Sequence, residues 1–126
     1  LTISLTAMSE RLSAASGIRF DTTVEQIDNV LSRETEVQYF RVVQELLNNI
    51  LKHSGAKNVR LDVKRSVMFI VTEIEDDGVG FEITSYKNLG FGLINIEERL
   101  NMIKAVYEFS SQHGKGTKFK ITVPIR

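Results

Sequence analysis

Apolar residues recur at three- and four-residue steps through Leu1, Leu5, Met8, Leu12 and Ala15, the spacing of one face of an α-helix. Gly17 ends that run, and Ile18-Arg19-Phe20 reads as a short strand. Residues 21–34 are polar with scattered apolar positions and show no clear period. A second helix is predicted from Thr35 to Lys52. Phe40, Val43, Leu47 and Ile50 mark its apolar face, broadened by Leu46 and Leu51, while Arg41, Glu45, Asn48, Asn49 and Lys52 fall on the polar side. Ser54-Gly55-Ala56 stops it, with the glycine suited to a left-handed cap. Val59, Leu61 and Val63 then alternate with polar neighbours, and Val67 to Ile74 is denser in apolar and β-branched residues, which predicts two strands with a turn at Arg65-Ser66. A third helix is expected over Leu93 to Ala105, with Leu93, Ile96, Leu100 and Ile103 inward. Val106 to Ser110 and Thr117 to Val123 complete the chain as strands. Helices and paired strands without strict βαβ alternation predict an α+β fold: a two-layer sandwich in which about three helices cover one face of a mixed sheet.

A length of 126 residues suits one domain with one core, without repeats or low-complexity segments. The 16 basic and 16 acidic residues cancel, so the basic excess of a nucleic-acid or anionic-membrane binder is missing, and no nucleic-acid partner is expected. The absence of cysteine excludes disulfides, thiolate metal sites and cysteine nucleophiles. No apolar run approaches the ~20 residues needed to cross a bilayer. The chain starts at Leu1, directly in a helix-like run. We therefore expect a piece of a longer protein, a cytoplasmic domain compatible with a membrane-anchored parent. As a single unit, residues 1–126 are expected to be monomeric.

Candidate chemistry begins with the glycines. Of eight, six form three Gly-x-Gly pairs, Gly78/Gly80, Gly90/Gly92 and Gly114/Gly116. Such pairs let backbone N–H groups approach a phosphate closely, although each alone also fits a tight turn. Gly90-Phe91-Gly92 leads straight into the helix from Leu93, whose free N–H groups would favour an anion. A P-loop pattern is absent, and Gly114-Lys115-Gly116-Thr117 leads into a strand. Asp76-Asp77-Gly78-Val79-Gly80-Phe81 follows an apolar strand; Asp76 could accept from an amino group while the glycines leave room for a flat ring, or the run is an acidic β-turn. Glu45 and Asn49, four apart on one helix face, could share Mg²⁺ and a water or phosphate, or form a solvated face.

In order along the chain, these segments resemble the ATP-binding domain of sensor histidine kinases, within the superfamily shared with type II topoisomerases, a heat-shock chaperone and mismatch-repair ATPases. Gln44 to His53 is similar to that family's N box, Asp76 to Phe81 to its G1 box and Gly90 to Arg99 to its G2 box. Gly114 to Phe119, running on to Val123-Pro124-Ile125, is similar to its terminal glycine-threonine strand. The N-box wording and the short Phe81–Leu89 lid most resemble the subgroup whose partners are helix-turn-helix response regulators. The resemblance implies a Bergerat-type fold with ATP and Mg²⁺ as cofactors. It implies Asn49 on Mg²⁺, Glu45 as base or as the group orienting the nucleophile, and Asp76 on the adenine amino group with Thr117 supporting it through water. Gly78 and Gly80 would border the adenine, Gly90, Gly92 and Leu93 would belong to the phosphate-covering lid, and Lys52 and His53 would lie near the nucleotide. It implies transfer of the γ-phosphoryl group to a histidine on the protein's own dimerisation and phosphoacceptor domain, with a response regulator downstream. Neither His53, followed by Ser54, nor His113, followed by Gly114, has the acceptor's usual setting. This piece is thus expected to bind ATP with little or no self-phosphorylation. An anti-sigma-factor-type serine kinase and a non-catalytic nucleotide-binding module are the alternatives.

Overall fold

The computed structural model describes residues 1–53, 55–78, 93–112 and 116–125. Among them, helix α1 (Thr2–Ser16) leads to strand β1 (Arg19–Val24), helix α2 (Arg33–His53) and strands β2 (Asn58–Arg65) and β3 (Phe69–Asp76); helix α3 (Leu93–Met102) and strands β4 (Val106–Gln112) and β5 (Gly116–Pro124) follow. The strands form one mixed sheet in the order β1-β2-β3-β5-β4. β1 runs parallel to β2 because α2 carries the chain back between them, and the remaining pairs are antiparallel.

Strand alternation decides which side is covered. Val59, Leu61 and Val63 on β2, Ile70 and Ile74 on β3, and Phe119, Ile121 and Val123 on β5 are buried. The intervening positions carry charge. Arg60 reaches Asp62, Glu73 and Glu75, and Lys118 reaches Glu73, on the opposite, solvent-facing side. Half-exposed pairs of this kind contribute little each, so the helix-covered face carries the core. α2 lies on that face, where its Tyr39 hydroxyl bonds the Thr72 hydroxyl of β3 at 2.5 Å, both groups fully buried. The expected two-layer α+β arrangement is therefore the one observed.

Several boundaries shift for identifiable reasons. The buried stripe of α2 is Tyr39, Val42, Val43, Leu46, Leu47 and Ile50, with Phe40 only at the edge of the core. On α1, Ala15 is exposed, and Ser9 is buried instead, accepting from the Thr22 hydroxyl. The unassigned stretch after β1 buries Ile27 completely and supplies Asp28, whose carboxylate accepts from the Thr2 amide and so caps α1. Val67 and Met68 form an exposed turn, closed by the Ser66 amide donating to the Phe69 carbonyl, so β3 starts at Phe69. α3 stops at Met102, short of the expected Ala105. Lys104 adopts φ 58° and the Ala105 amide returns to the Leu100 carbonyl at 2.9 Å, a Schellman-type stop made without glycine.

Candidate functional site

Two adjacent aspartates end β3 in opposite environments. Asp76 has the strand parity of Ile70, Thr72 and Ile74, so its side chain is on the helix-covered face, 4% exposed. One carboxylate oxygen accepts from the Gly78 amide at 2.8 Å; the other is buried with no hydrogen-bond partner among the described residues. Burial pushes the Asp76 carboxyl above the ordinary carboxylate value, and the Gly78 and Thr117 backbone amides oppose that rise only in part. A buried acceptor without a donor is costly, and it is the kind of vacancy that a ligand donor satisfies. Asp77 is exposed and accepts from the Lys57 amide (2.8 Å), the Asn58 amide (2.9 Å) and the Asn58 side-chain amide (2.7 Å). Those bonds, the Asn58 side chain foremost, hold its carboxyl below the ordinary value. Asp77 thus pins the start of β2, leaving Asp76 as the group facing inward.

Opposite Asp76 in the β3–β5 register is Thr117, also 4% exposed, and opposite Thr117 on β4 is Ser111. The Thr117 and Ser111 hydroxyls are 3.1 Å apart. A cleft of about 190 Å³ is lined by Asp76, Ser111, Gly116 and Thr117 together with Glu75, Ser110 and Lys118. Gly116 has φ +85°, and a Cβ there would lie 2.0 Å from the Asp76 carbonyl oxygen. Only glycine allows β5 to begin so close to the end of β3. A wider hollow of about 330 Å³ at the same end of the sheet is lined by Arg19, Asp21, Arg60 and Glu75 among others. Those four belong to the charged, solvent-facing side of the sheet, as do Ser110 and Lys118 of the smaller cleft, which shares Glu75.

The remaining candidates are on α2, on the same side of the sheet as Asp76. Glu45 and Asn49 are half-buried and Lys52 is exposed. Arg99 of α3 brings its Nε within 3.5 Å of Glu45 and donates from Nη1 to Gln38 at 2.8 Å. Gln38, Glu45 and Asn49 follow one another at seven and four residues, so one flank of α2 carries all three. The Arg99–Glu45 contact is an ion pair without a hydrogen bond, and the buried Arg99 Nε has no hydrogen-bond partner among the described residues. Among the described residues no three His, Cys, Asp or Glu converge on a metal position. Mg²⁺, however, takes one or two protein oxygens and completes its shell with phosphates and water, so the Asn49 carboxamide fits as a lone protein ligand.

The structure thus brings Asp76, Gly78, Gly116 and Thr117 together and places Glu45 and Asn49 on the helix above the same sheet face. Gly80, Gly90 and Gly92, with the whole Phe81–Leu89 segment, lie outside the described residues, as do the side chains of His53 and Leu93. Ser111 and Arg99 carry no assigned role in the sequence reading. Arg99 falls within the Gly90–Arg99 motif, whereas Ser111 is identified only through strand register.

Residues 34–126 match the family described as histidine kinase-, DNA gyrase B-, and HSP90-like ATPase. The chain is 32% identical over 120 residues to the signal transduction histidine-protein kinase/phosphatase DegS of Bacillus subtilis, covering 93% of this chain and 31% of that protein. To the sensor histidine kinase LiaS of the same organism it is 37% identical over 100 residues, covering 78% of this chain and 27% of LiaS. Among solved structures, the histidine kinase domain of the Erythrobacter litoralis EL346 blue-light activated histidine kinase matches with a TM-score of 0.83 at 21% identity, over 96% of this chain and 59% of that one. That likeness is one of fold. The chain spans less than a third of the length of DegS and of LiaS.

Proposed function

Because this chain belongs to the histidine kinase-, DNA gyrase B-, and HSP90-like ATPase family, we propose that it binds Mg-ATP and supplies the γ-phosphoryl group to a histidine on a separate dimerisation domain of its parent protein. The observation that carries this reading is the buried, half-satisfied Asp76 carboxylate beside Thr117. Adenine presents an amino donor next to a ring-nitrogen acceptor, and a carboxylate flanked by a hydroxyl is its complement. In this reading Asp76 accepts from the amine, Thr117 supports the ring through water, and Gly78 with Gly80 borders it. Gly90, Gly92 and Leu93 belong to the lid over the phosphates. Lys52 and His53 lie near the nucleotide.

Phosphoryl transfer depends mainly on alignment and charge neutralisation. Magnesium, when bound through Asn49, supplies positive charge to the phosphates. Glu45 orients the attacking group, with the Arg99 guanidinium beside it. The acceptor histidine, the response regulator of helix-turn-helix type and the cytoplasmic setting belong to this proposal. No helix among the described residues is long and apolar enough to cross a membrane. The serine-kinase alternative is disfavoured, since the relatives reported above are named as histidine kinases.

Isothermal calorimetry with Mg-ADP tests the proposal. Binding to the unaltered chain and a loss of about 10- to 100-fold in Asp76→Asn are expected, the size of a charge-assisted hydrogen bond. Equal affinities for the two proteins would remove the adenine assignment.

A further inference from the structure

We propose that Arg99 is a positioning residue for phosphoryl transfer: anchored on Gln38, its guanidinium turns the Glu45 carboxylate toward the attacking group. This rests on the reading of Glu45 as the group that orients the nucleophile.

The starting point is one flank of α2 met by a single side chain of α3. Gln38 and Glu45 are seven residues apart, close to two full turns, so they lie nearly in line along α2. Arg99 reaches both from α3. Its Nη1 donates to the Gln38 side-chain oxygen at 2.8 Å, which ties down one arm of the guanidinium. Its Nε stands 3.5 Å from Oε1 of Glu45, near enough for an ion pair and short of a hydrogen bond.

That arrangement is half engaged. The Nε atom is buried with no hydrogen-bond partner among the described residues, although a carboxylate is within reach of it. A donor shut away from water without an acceptor is costly. Contacts that serve catalysis are commonly long before the reactants arrive and tighten in the assembled complex. Here the cost of tightening is small on the arginine side, because the planar fork is pre-organised and Gln38 already holds it. The Glu45 side chain is 35% exposed and keeps the rotamer freedom to move.

A small rotation of Glu45 closes the gap, satisfies Nε and fixes one carboxylate oxygen. The second oxygen is then directed away from α3 and accepts from the N–H of the attacking imidazole. Alignment of this kind is what phosphoryl transfer draws on most. Arg99 touches neither nucleotide nor acceptor in this arrangement; it acts through Glu45.

The test uses the parent protein with its dimerisation segment. Initial rates of acceptor phosphorylation at saturating Mg-ATP, the KM for ATP and the calorimetric affinity for Mg-ADP are measured for the unaltered protein, Glu45→Gln, Arg99→Ala and Gln38→Leu. The last two are also combined with Glu45→Gln. Glu45→Gln is expected to slow transfer about 100-fold, the lower end of what an aligned proton acceptor contributes. Arg99→Ala slows it about tenfold and Gln38→Leu about threefold, while KM and Mg-ADP affinity change by less than about twofold. In the Glu45→Gln background both losses shrink to less than about twofold, because the group they act through is gone. A plain brace between α2 and α3 would multiply its loss onto that of Glu45→Gln or weaken Mg-ADP binding, and either result overturns the proposal. So does an unchanged rate in Arg99→Ala. If thermal scans show that Arg99→Ala does not fold, Gln38→Leu decides by the same two criteria, its rate and its dependence on Glu45. If Glu45→Gln transfers at the unaltered rate, the reading of Glu45 fails and Arg99 falls with it. If Glu45→Gln is slow while the loss from Arg99→Ala is independent of it, only the Arg99 proposal is lost.

Discussion

Asp76 and Asp77 differ by one position and by the sign of their response to folding. Asp77 has its carboxyl held below the ordinary 3.8 by Asn58 and two backbone amides. Its stabilising contribution is therefore complete above that value and fades as pH falls through the lower, folded-state one. Asp77→Asn should lower the thermal midpoint at pH 7, and the gap to the unaltered chain should narrow as pH drops below about 4 in calorimetric scans. Asp76 behaves in reverse, because burial disfavours its charged form. Asp76→Asn should leave the midpoint at pH 7 unchanged or raise it, while nucleotide affinity collapses. A thermal scan beside a binding titration separates the two residues. Their division of labour is legible in the chain, since β3 alternation over Ile70, Thr72 and Ile74 already turns Asp76 inward. The hydroxyl pairing of Ser111 is not, because it depends on how β4 and β5 register across the intervening turn.

At the scale of elements, the attachment of α2 to the sheet includes one buried hydroxyl pair inside an apolar layer. Tyr39→Phe should cost about 1–2 kcal/mol in denaturant unfolding, because Thr72 is left without its partner. Adding Thr72→Val should recover most of that loss, and an additive double variant would show that the pair is not coupled. The α2 pattern indicated a helix but not which aromatic enters the core: Phe40 and Tyr39 are neighbours, and only the position of Thr72 beneath the helix favours the tyrosine. The α3 terminus was hidden for a related reason, since a lysine in the left-handed region has no compositional marker. Gly116 is different: its glycine pair is visible in the chain, but its close approach to the Asp76 carbonyl depends on the β3–β5 register. Gly116→Ala should destabilise the chain by at least about 1–3 kcal/mol through its backbone conformation alone, with a further steric cost against Asp76, and should reduce nucleotide binding.

At the scale of the whole molecule, the fold provides a nucleotide platform that spans less than a third of DegS or LiaS. Incubated alone with radiolabelled ATP, the chain should incorporate little or no label. It should transfer label only when a histidine-bearing dimerisation segment of its parent is supplied, as read by autoradiography. The Asp76 oxygen left without a donor has one more consequence for the molecule in solution. A donor arriving with the base would draw that carboxyl back toward ordinary acidity, so complex formation at mildly acid pH should expel hydrogen ions into the medium. Heats of association measured in buffers of unlike ionisation enthalpy would then diverge, and affinity would weaken with acidification.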